Sequence, residues 1–423
     1  MSVTIDVLTE KLVQARLASR AVAQLSTKTK NSVLNAVADA LEAETDYLIA
    51  ENSTDVAAAT EAGVDPYSID RLTLSQKVLA GIASDVRKVA ALEDPVGAVT
   101  DMRTVESGIT VGRIRVPFGV VGAIYESRPN VTVDIACLCF KSGNAVVLRG
   151  GSEAIYSNVA LARVIHDAGV AAGAPENWVQ LIEDTDRALV HRMLQAKGEI
   201  DLVIPRGGAG LINFVVENAT VPVIETGAGV CHTYVDEHAD LEKAQRIVVN
   251  AKTRRYSICN ALDTLLVHEA VANQFLPAVY PELIEAGVEI HACPRTQEIL
   301  GESPHVLPAI DDDWGKEFLA LIMAVKVVDD FDDAMEHLHT YTSSHSEAIV
   351  TQDYTVGQRF MSEVDAAAVY WNASTQFTDG AQFGLGAEVG ISTQKLHARG
   401  PMALGEMTTY KWIVYGDGAI RPL

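Results

Sequence analysis

Cys259 lies in a cationic part of the sequence, shortly after Lys252 and just behind the pair Arg254 and Arg255. A cysteine attacks carbon as the thiolate, and positive charge nearby favours that form over the thiol. Such a setting predicts a cysteine that serves as a covalent nucleophile. The alternative is a buried structural thiol, which is the commoner fate of a free cysteine. The residues around Cys259 alone leave both interpretations open.

Two further polar residues, Asn130 and Glu225, each follow an apolar run that is typical of a strand. The amide of Asn130 could donate a hydrogen bond to a developing oxyanion, although capping of the next helix is a simpler role for it. Glu225 could be a general base or a buried carboxylate held by backbone donors. It precedes Cys259 by 34 positions (259 − 225).

Two glycine-containing turns follow predicted strands and lead into predicted helices, one at residues 149–153 and the other at residues 206–210. Free backbone N–H groups and the positive end of a helix dipole at such a turn can hold a pyrophosphate. Arg149 also suits an anionic ribose or its 2′-phosphate. Neither turn has the G-x-G-x-x-G spacing, however, and glycine-rich turns are common in α/β proteins. A helix start capped by Ser152 is the alternative for the first turn.

The chain is acidic, with a formal net charge of −23. Nucleic-acid binding requires a basic face, and the sequence contains none, so we predict no nucleic-acid partner. An anionic substrate would need a local group of cations within this acidic background. Residues 252–255 and residues 395–399 form two such groups.

The cysteines and histidines do not form a metal motif. The five cysteines include no C-x-x-C pair, and scattered thiols in a long chain are typical of a reducing compartment. His337 and His339 are two positions apart on a predicted helix, so they do not share a face. We therefore predict no metal, and a cytoplasmic protein without a signal peptide or a membrane span. Cys137 and Cys139 alternate in an apolar stretch and are expected in the core.

The elements that must position these residues follow an α/β pattern. Residues 7–90 have helical periodicity, and residues 102–116 form a predicted exposed hairpin. Two series of apolar strands that alternate with helices follow, at residues 119–204 and 239–350. This alternation predicts mainly parallel sheets in two α/β domains. A last predicted strand, at residues 408–415, could pair with the early hairpin.

Five longer motifs stand out. They are YESRPN at 125–130, KSGNAVVLRGGSEA at 141–154, NAKTRRYSICNA at 250–261, residues 328–349 with His337, His345 and Glu347, and STQKLHARGPM at 392–402. Together they closely resemble the gamma-glutamyl phosphate reductase (glutamate-5-semialdehyde dehydrogenase) family of the aldehyde dehydrogenase superfamily, over nearly the whole chain. The separation of Glu225 and Cys259 is also similar to that in classical aldehyde dehydrogenases. Tyr256, where proline is expected, Thr342 and residues 403–406 depart from the family pattern.

This resemblance implies an aldehyde dehydrogenase-like α/β fold. Its parts are a Rossmann-like cofactor domain, an α/β catalytic domain and a β-flap for oligomerisation. The predicted divisions are residues 1–101 and 117–227 for the cofactor domain, 228–386 for the catalytic domain, 102–116 and 404–423 for the flap, and 387–403 for a segment that returns to the active-site cleft.

The resemblance also implies NADPH-dependent reduction of L-glutamyl 5-phosphate to L-glutamate 5-semialdehyde and phosphate, the second step of proline biosynthesis, through a thioester on Cys259. It makes Asn130 the side-chain oxyanion donor and leaves Glu225 a supporting role, since a strong base would waste the thioester on water. The implied cofactor contacts are Arg149, Gly150, Gly151, Ser152, Glu153, Arg206, Gly207, Gly208 and, at the nicotinamide ribose, Glu317. The candidate cations for substrate binding are Arg128, Lys252, Arg254, Arg255 and Arg399.

Two other functions remain open from the sequence. One is a hydrolytic NAD(P)-dependent aldehyde dehydrogenase, which would release a free acid. The other is a catalytically silent nucleotide-binding relative. The expected partners are further copies of the chain, in a homodimer or homotetramer, and glutamate 5-kinase, which could pass on the labile acyl phosphate.

Overall fold

The structure is a computed structural model that describes residues 2–126 and 128–421, without the side chains of residues 2–6 and 67. Ser127 of the 125–130 motif and the last two residues of the predicted flap therefore lie outside the described residues. The chain divides into two compact units. The first unit comprises Met1–Glu225, Gly384–Gly390 and Met402–Leu423, and the second comprises Thr226–Phe383 and Ile391–Pro401.

Helices dominate the beginning of the first unit. Those of the whole unit are α1 (Ser2–Val22), α2 (Thr27–Ala43), α3 (Thr45–Glu61), α4 (Pro66–Leu72), α5 (Gln76–Ala91), α6 (Asn130–Lys141), α7 (Ile155–Ala171), α8 (Arg187–Leu194) and α9 (Ala209–Asn218). Helix α2 shows why they form. The Ser26 side chain caps it by accepting a hydrogen bond from the Thr29 N–H, and Val33, Val37 and Leu41 recur at helical spacing on its buried face.

An antiparallel sheet joins the early hairpin to the end of the chain. Its strands are β1 (Val99–Thr104), β2 (Thr110–Pro117) and β16 (Thr408–Tyr415), in the order β1-β2-β16. Strand β16 pairs with all of β2, from Thr408 opposite Pro117 to Tyr415 opposite Thr110. The predicted pairing of the C-terminal strand with the hairpin is therefore confirmed.

A four-stranded parallel sheet forms the centre of the first unit. Its strands are β3 (Val120–Tyr125), β4 (Ala145–Arg149), β5 (Val179–Leu181) and β6 (Leu202–Arg206), in the order β5-β4-β3-β6. All residues of β3 and β4 are buried, as expected for a parallel sheet with both faces covered. Ile124 pairs with Arg149 and Tyr125 pairs with Arg206. The carboxyl ends of β3, β4 and β6 therefore lie side by side at one edge of the sheet.

The second unit contains a seven-stranded parallel sheet in the order β10-β9-β11-β8-β7-β12-β13. Its strands are β7 (Cys231–Val235), β8 (Leu262–His268), β9 (Glu289–Ala292), β10 (Val306–Pro308), β11 (Ile322–Val328), β12 (Ser346–Val350) and β13 (Ala368–Trp371), and a separate pair is formed by β14 (Ile391–Ser392) and β15 (Gly400–Pro401). Its helices are α10 (Leu241–Thr253), α11 (Glu269–Glu285), α12 (Pro294–Leu300), α13 (Phe331–Tyr341) and α14 (Tyr354–Glu363). Apolar side chains such as Val248, Leu265, Phe275 and Val325 form its core.

The predicted α/β class, with parallel sheets in two units, is confirmed, but the sequence interpretation missed several elements. Strands β7 and β13 and helix α14 were not predicted. Strand β7 has the polar residues His232 and Thr233 at its centre, yet both are fully buried, so its sequence lacks the continuous apolar run of a typical interior strand. No helix in the part of the chain that the structure describes is both long and apolar enough to cross a bilayer.

Candidate active site

Cys259 lies in an irregular segment, residues 254–261, between helix α10 and strand β8. It is partly exposed, whereas the other four cysteines are buried. Burial raises the pKa of Cys137, Cys139 and Cys231 well above the ordinary value for a thiol. Cys259 is therefore the one cysteine of the chain that a substrate can reach.

The backbone of Cys259 rests against the segment that leads into β7. A Cβ atom at Gly229 would overlap the carbonyl oxygen of Cys259 and would lie 2.7 Å from its Cα atom. Only glycine allows such a close approach of two backbones. The Cys231 thiol lies 3.2 Å from the same carbonyl oxygen and donates to it. Gly229 and Cys231 therefore fix the backbone of the loop that carries Cys259.

Glu317 reaches the same place in the second unit. Its carboxylate accepts a hydrogen bond from the Gly229 N–H, and burial raises the pKa of Glu317. The N–H of the next residue, Phe318, donates to Asp263 Oδ1 over 3.1 Å. The predicted nucleophile and the predicted ribose-binding glutamate are thus connected through Gly229.

Lys252 was one of the candidate cations for substrate binding, and the structure places it in the interior of the second unit. Its side chain is fully buried, 3.8 Å from Asp263 Oδ1, and among the described residues its Nζ has no hydrogen-bond partner. Burial lowers the pKa of Lys252 and raises the pKa of Asp263. This location argues against the direct substrate contact predicted for Lys252 and is consistent with a supporting role in α10.

The remaining predicted cations of the second unit lie nearer the surface. Arg254 and Arg255 are exposed, and Arg254 donates to the Oε1 of Gln376 over 3.1 Å. Arg399 donates to Asp365 over 2.6 Å, and Lys395 also contacts Asp365. Arg254 and Arg255 are therefore the predicted cations that lie both next to Cys259 in the chain and within reach of solvent.

Asn130 is the first residue of α6, and the cap position is occupied by Pro129. The Asn130 amide donates instead to Asp134 Oδ2, one turn along the helix, over 2.8 Å. The capping role considered for Asn130 is therefore wrong. Burial raises the pKa of Asp134 to about 6. The partly buried Arg128 precedes this helix.

Arg149 ends strand β4 and is almost completely buried. Its guanidinium donates to the carbonyl oxygens of Gly150 and, over 2.8 Å, of Thr185. Gly150 packs so closely that a Cβ atom there would overlap the Asn158 side chain. The following Ser152–Ala154 segment is a short 3-10 helix capped by Gly151. Ser152 is thus not the cap that was considered for it.

The turn after β6 already holds an anionic group. The Gly208 N–H, at the start of α9, donates to Glu126 Oε2 over 2.9 Å. A Cβ atom at Gly207 would overlap the same carboxylate. Glu126 and residues 207–210 are exposed, and Arg206 is half-buried. This helix N-terminus therefore holds an anionic group at a position that solvent can reach.

Glu225 lies in an irregular segment at the end of the first unit, two residues after Val223 forms an isolated bridge with Val203. Its side chain is half-buried. The apolar strand expected before Glu225 is therefore reduced to a single bridge.

Side chains of the motif at residues 328–349 contact strand β7 in the interior of the second unit. Glu347 accepts from the His232 N–H over 3.0 Å and contacts the His232 ring, and the Thr342 hydroxyl donates to it. His345 Nδ1 lies 3.8 Å from the Cys231 sulfur. Burial lowers the pKa of His337 to about 3 and that of His345 to about 4, so both rings are neutral. These residues were part of the recognised motif, but the support they give to β7 was not predicted.

The sequence of the chain matches known proteins along its length. The profile of the Aldehyde dehydrogenase family matches residues 6–292. The gamma-glutamyl phosphate reductase of Moorella thermoacetica is 56% identical over 421 residues, which cover 100% of both chains. That of Clostridium acetobutylicum is 52% identical, over 96% of this chain and 97% of its own.

A solved structure agrees with the sequence comparison. The crystal structure of gamma-glutamyl phosphate reductase from Thermotoga maritima superposes with a TM-score of 0.95 at 48% identity, and the match covers 98% of this chain and 100% of that one. Together with the accessible Cys259, these similarities identify the kind of enzyme to which the chain is related. The chain belongs to the aldehyde dehydrogenase family and, within it, to the gamma-glutamyl phosphate reductases.

Proposed function

We propose that this protein reduces L-glutamyl 5-phosphate to L-glutamate 5-semialdehyde and phosphate, the second step of proline biosynthesis, with NADPH. The observation that carries the proposal is the single accessible cysteine, Cys259, on a loop fixed by Gly229. Relatives more than half identical over nearly the whole chain bear the name of this reductase, which supports the choice of substrate.

In this proposal the Cys259 thiolate attacks the acyl carbon of the substrate. Phosphate leaves with the bonding electrons, and a glutamyl thioester forms on the sulfur. The Asn130 amide and the backbone N–H of Cys259 stabilise the oxyanion, and each such donor contributes about 3–4 kcal/mol. Phosphate is a good leaving group, so the reaction needs neither a metal ion nor a strong acid.

The strand ends of the first unit fit a nicotinamide dinucleotide. The Gly208 N–H already holds the carboxylate of Glu126, as a helix N-terminus would hold a cofactor phosphate. Residues 149–153 and 206–208 would bind the cofactor, with Glu317 at its nicotinamide ribose. A bound cofactor would supply a hydride to the acyl carbon. The bond from this carbon to the Cys259 sulfur then breaks, the thiolate is restored and the semialdehyde is released. The preference for NADPH rests on Arg149 and on the resemblance to the reductase family, and the ratio of kcat/KM for NADPH and NADH tests it.

The substrate carries a phosphate and an α-carboxylate, both anionic. Arg254 and Arg255 are exposed close to Cys259 in the chain, which supports them as contacts for these groups. Arg128 and Arg399 are further candidates, whereas the buried Lys252 supports the helix. Glu225 does not act as a base toward water, because hydrolysis of the thioester would waste the acyl group.

The reverse reaction distinguishes this function from a hydrolytic aldehyde dehydrogenase. The enzyme is supplied with glutamate 5-semialdehyde and NADP⁺, and steady NADPH formation is followed with and without inorganic phosphate. We expect turnover that depends on phosphate, since phosphate must release the glutamyl group from Cys259. Equal steady rates without phosphate would support the hydrolytic alternative and contradict the proposal.

We further propose a cytoplasmic homodimer or homotetramer that assembles through the flap, and that takes its labile substrate from glutamate 5-kinase. The exposed aromatic residues Tyr410 and Trp412 on strand β16 support assembly at this sheet. Sedimentation velocity of a mixture of the enzyme and glutamate 5-kinase tests the proposed contact between them. We expect the two proteins to sediment together in one boundary.

A further inference from the structure

The loop that carries Cys259 has no regular secondary structure between Arg254 and Ala261. A nucleophile is effective only when its position is held closely, because a displacement of about 1 Å can cost a hundredfold in rate. Something outside the loop must therefore hold it. The segment Ser374–Thr378, which follows β13, lies along this loop, and we call it the clasp.

Gln376 makes the central contacts of the clasp. Its side chain is 5% exposed. The Nε2 atom donates to the carbonyl oxygens of Ala251, at 2.9 Å, and of Arg255, at 3.2 Å. The Oε1 atom accepts from the Arg254 guanidinium at 3.1 Å. One amide thus satisfies two carbonyl groups at the end of α10 and orients the cation between them.

The clasp also holds the loop on the other side of Cys259. The Thr375 hydroxyl donates to the Asn260 carbonyl oxygen over 2.7 Å. The Asn260 side chain donates to the carbonyl oxygen of Thr378 over 3.0 Å. Contacts on Arg255 and Asn260 therefore enclose the nucleophile from both directions along the chain.

We infer that Gln376 is a positioning residue with two effects. Its donors hold the loop that presents Cys259, and its acceptor directs Arg254 toward an anionic group of the substrate. The second effect rests on the proposed function, whereas the first follows from the contacts alone. Neither effect requires Gln376 to touch the substrate.

The first test measures the loop without using activity. Gln376→Met removes both donors and the acceptor at nearly constant size, and Gln352→Met makes the same change at an exposed site of the same unit. Hydrogen exchange of a peptide covering residues 254–261 should become at least about tenfold faster in Q376M and stay unchanged in Q352M. Unchanged exchange in both variants would overturn the role of Gln376 in holding the loop. If Q376M fails to fold, Gln376→Glu, which also loses the donors, takes its place with the same expectation.

The second test uses a double-mutant cycle with Arg254→Met in the reverse reaction. Q376M should raise KM for phosphate by about fivefold and lower kcat by about tenfold. In the R254M background it should still lower kcat but no longer change KM, because its effect on binding acts through Arg254. If Q376M raises KM for phosphate by the same factor with and without Arg254→Met, Gln376 does not act through Arg254, and its role in orienting Arg254 would be overturned. If neither the wild type nor R254M turns over with phosphate, the proposed function fails. The hydrogen-exchange result still decides whether Gln376 holds the loop.

Discussion

At the scale of single residues, the Asn130 amide depends on a carboxyl group. Asp134 accepts one amide N–H of Asn130 over 2.8 Å. The amide has a second N–H, which is the one needed for the oxyanion contact proposed above. A carboxylate is a stronger acceptor than a carboxylic acid. The orientation of Asn130 should therefore be best defined above the pH at which Asp134 loses its proton.

This arrangement makes a prediction for stability. Burial is the largest cause that raises the pKa of Asp134, to about 6, from about 3.9 in an unfolded chain. Because the folded-state pKa is the higher one, the contribution of Asp134 to stability is fully present below about pH 4 and is lost as the pH rises through 6. Asp134→Asn is uncharged at every pH, so its unfolding free energy relative to the wild type should increase between pH 4 and pH 8, by about 2 kcal/mol.

Urea unfolding of both proteins at several pH values measures this difference. A difference that stays constant from pH 4 to pH 8 would contradict the raised pKa. The same variant should show a lower kcat if the negative charge on Asp134 helps to orient Asn130. That second readout separates the role of the charge from a merely structural one.

At the scale of elements, helix α10 is joined to the strand after the nucleophile by the buried pair Lys252 and Asp263. Removing one partner of a buried pair leaves an unpaired charge and costs about 3–5 kcal/mol. We therefore expect Lys252→Met and Asp263→Asn each to lower the unfolding free energy by about this amount. The double variant should recover much of the loss, because no charge remains buried.

Urea unfolding of the four proteins closes this cycle. Additive losses in the double variant would show that the two side chains do not act as a pair. Asp263 also accepts from the Phe318 N–H, which an Asn side chain can still do, so the cycle reports mainly on the charges.

Much of this scale was predictable from the sequence. Apolar strands alternating with amphipathic helices predicted the parallel sheets. The two glycine-containing turns were expected directly after strands, and the structure has them after β4 and β6. Strand β7 was not predicted, because its polar residue His232 is buried through a contact with Glu347, 115 positions away. Strand β13 was not predicted either. Gln376 was not singled out, because its contacts are to a loop more than 100 positions earlier. No local pattern encodes such contacts.

The sequence showed which residue types lie near Cys259 in the chain, but not whether each side chain is buried or exposed. The cations around Cys259 were visible in the sequence, but their exposure was not. Lys252 and Arg254 are two positions apart on and just beyond one helix, yet the first is buried and the second is exposed. Residues two positions apart on a helix do not share a face. The exact end of α10, which the sequence shows only approximately, therefore decides which of the two side chains is exposed.

At the scale of the whole molecule, the edge strand β16 predicts assembly. Tyr410, Trp412 and Val414 alternate along it, and each is more than half exposed, at 52%, 54% and 58%. Alternating residues of a strand share one face, and an exposed apolar edge strand favours association. Trp412→Glu should therefore weaken self-association by at least roughly thirtyfold and yield monomers in light scattering.

Tyr354→Glu is the matched control, since Tyr354 is 71% exposed on α14 in the second unit. It should leave the assembly unchanged. An oligomer that withstands Trp412→Glu at low protein concentration would locate the interface elsewhere and would contradict assembly through the flap.

The formal net charge of −23 also acts on the molecule as a whole. Such a charge repels an anionic substrate and an anionic cofactor over long distances, and salt weakens that repulsion. Arg254 and Arg255 are exposed and place positive charge near Cys259 in the chain, as the substrate contacts proposed for them require. The overall acidity is accordingly compatible with an anionic substrate.

The proposed mechanism depends on a glutamyl thioester on Cys259 that phosphate, and not water, releases. Rapid mixing of the enzyme with glutamate 5-semialdehyde and NADP⁺, with and without phosphate, tests it most directly by counting NADPH per active site. Without phosphate we expect a burst of about one NADPH per subunit followed by near arrest, because the acyl-enzyme cannot be released. With phosphate the burst should continue into steady turnover, and Cys259→Ser should abolish both phases. Steady turnover without phosphate, or an unchanged burst in Cys259→Ser, would contradict a thioester on Cys259 that only phosphate releases.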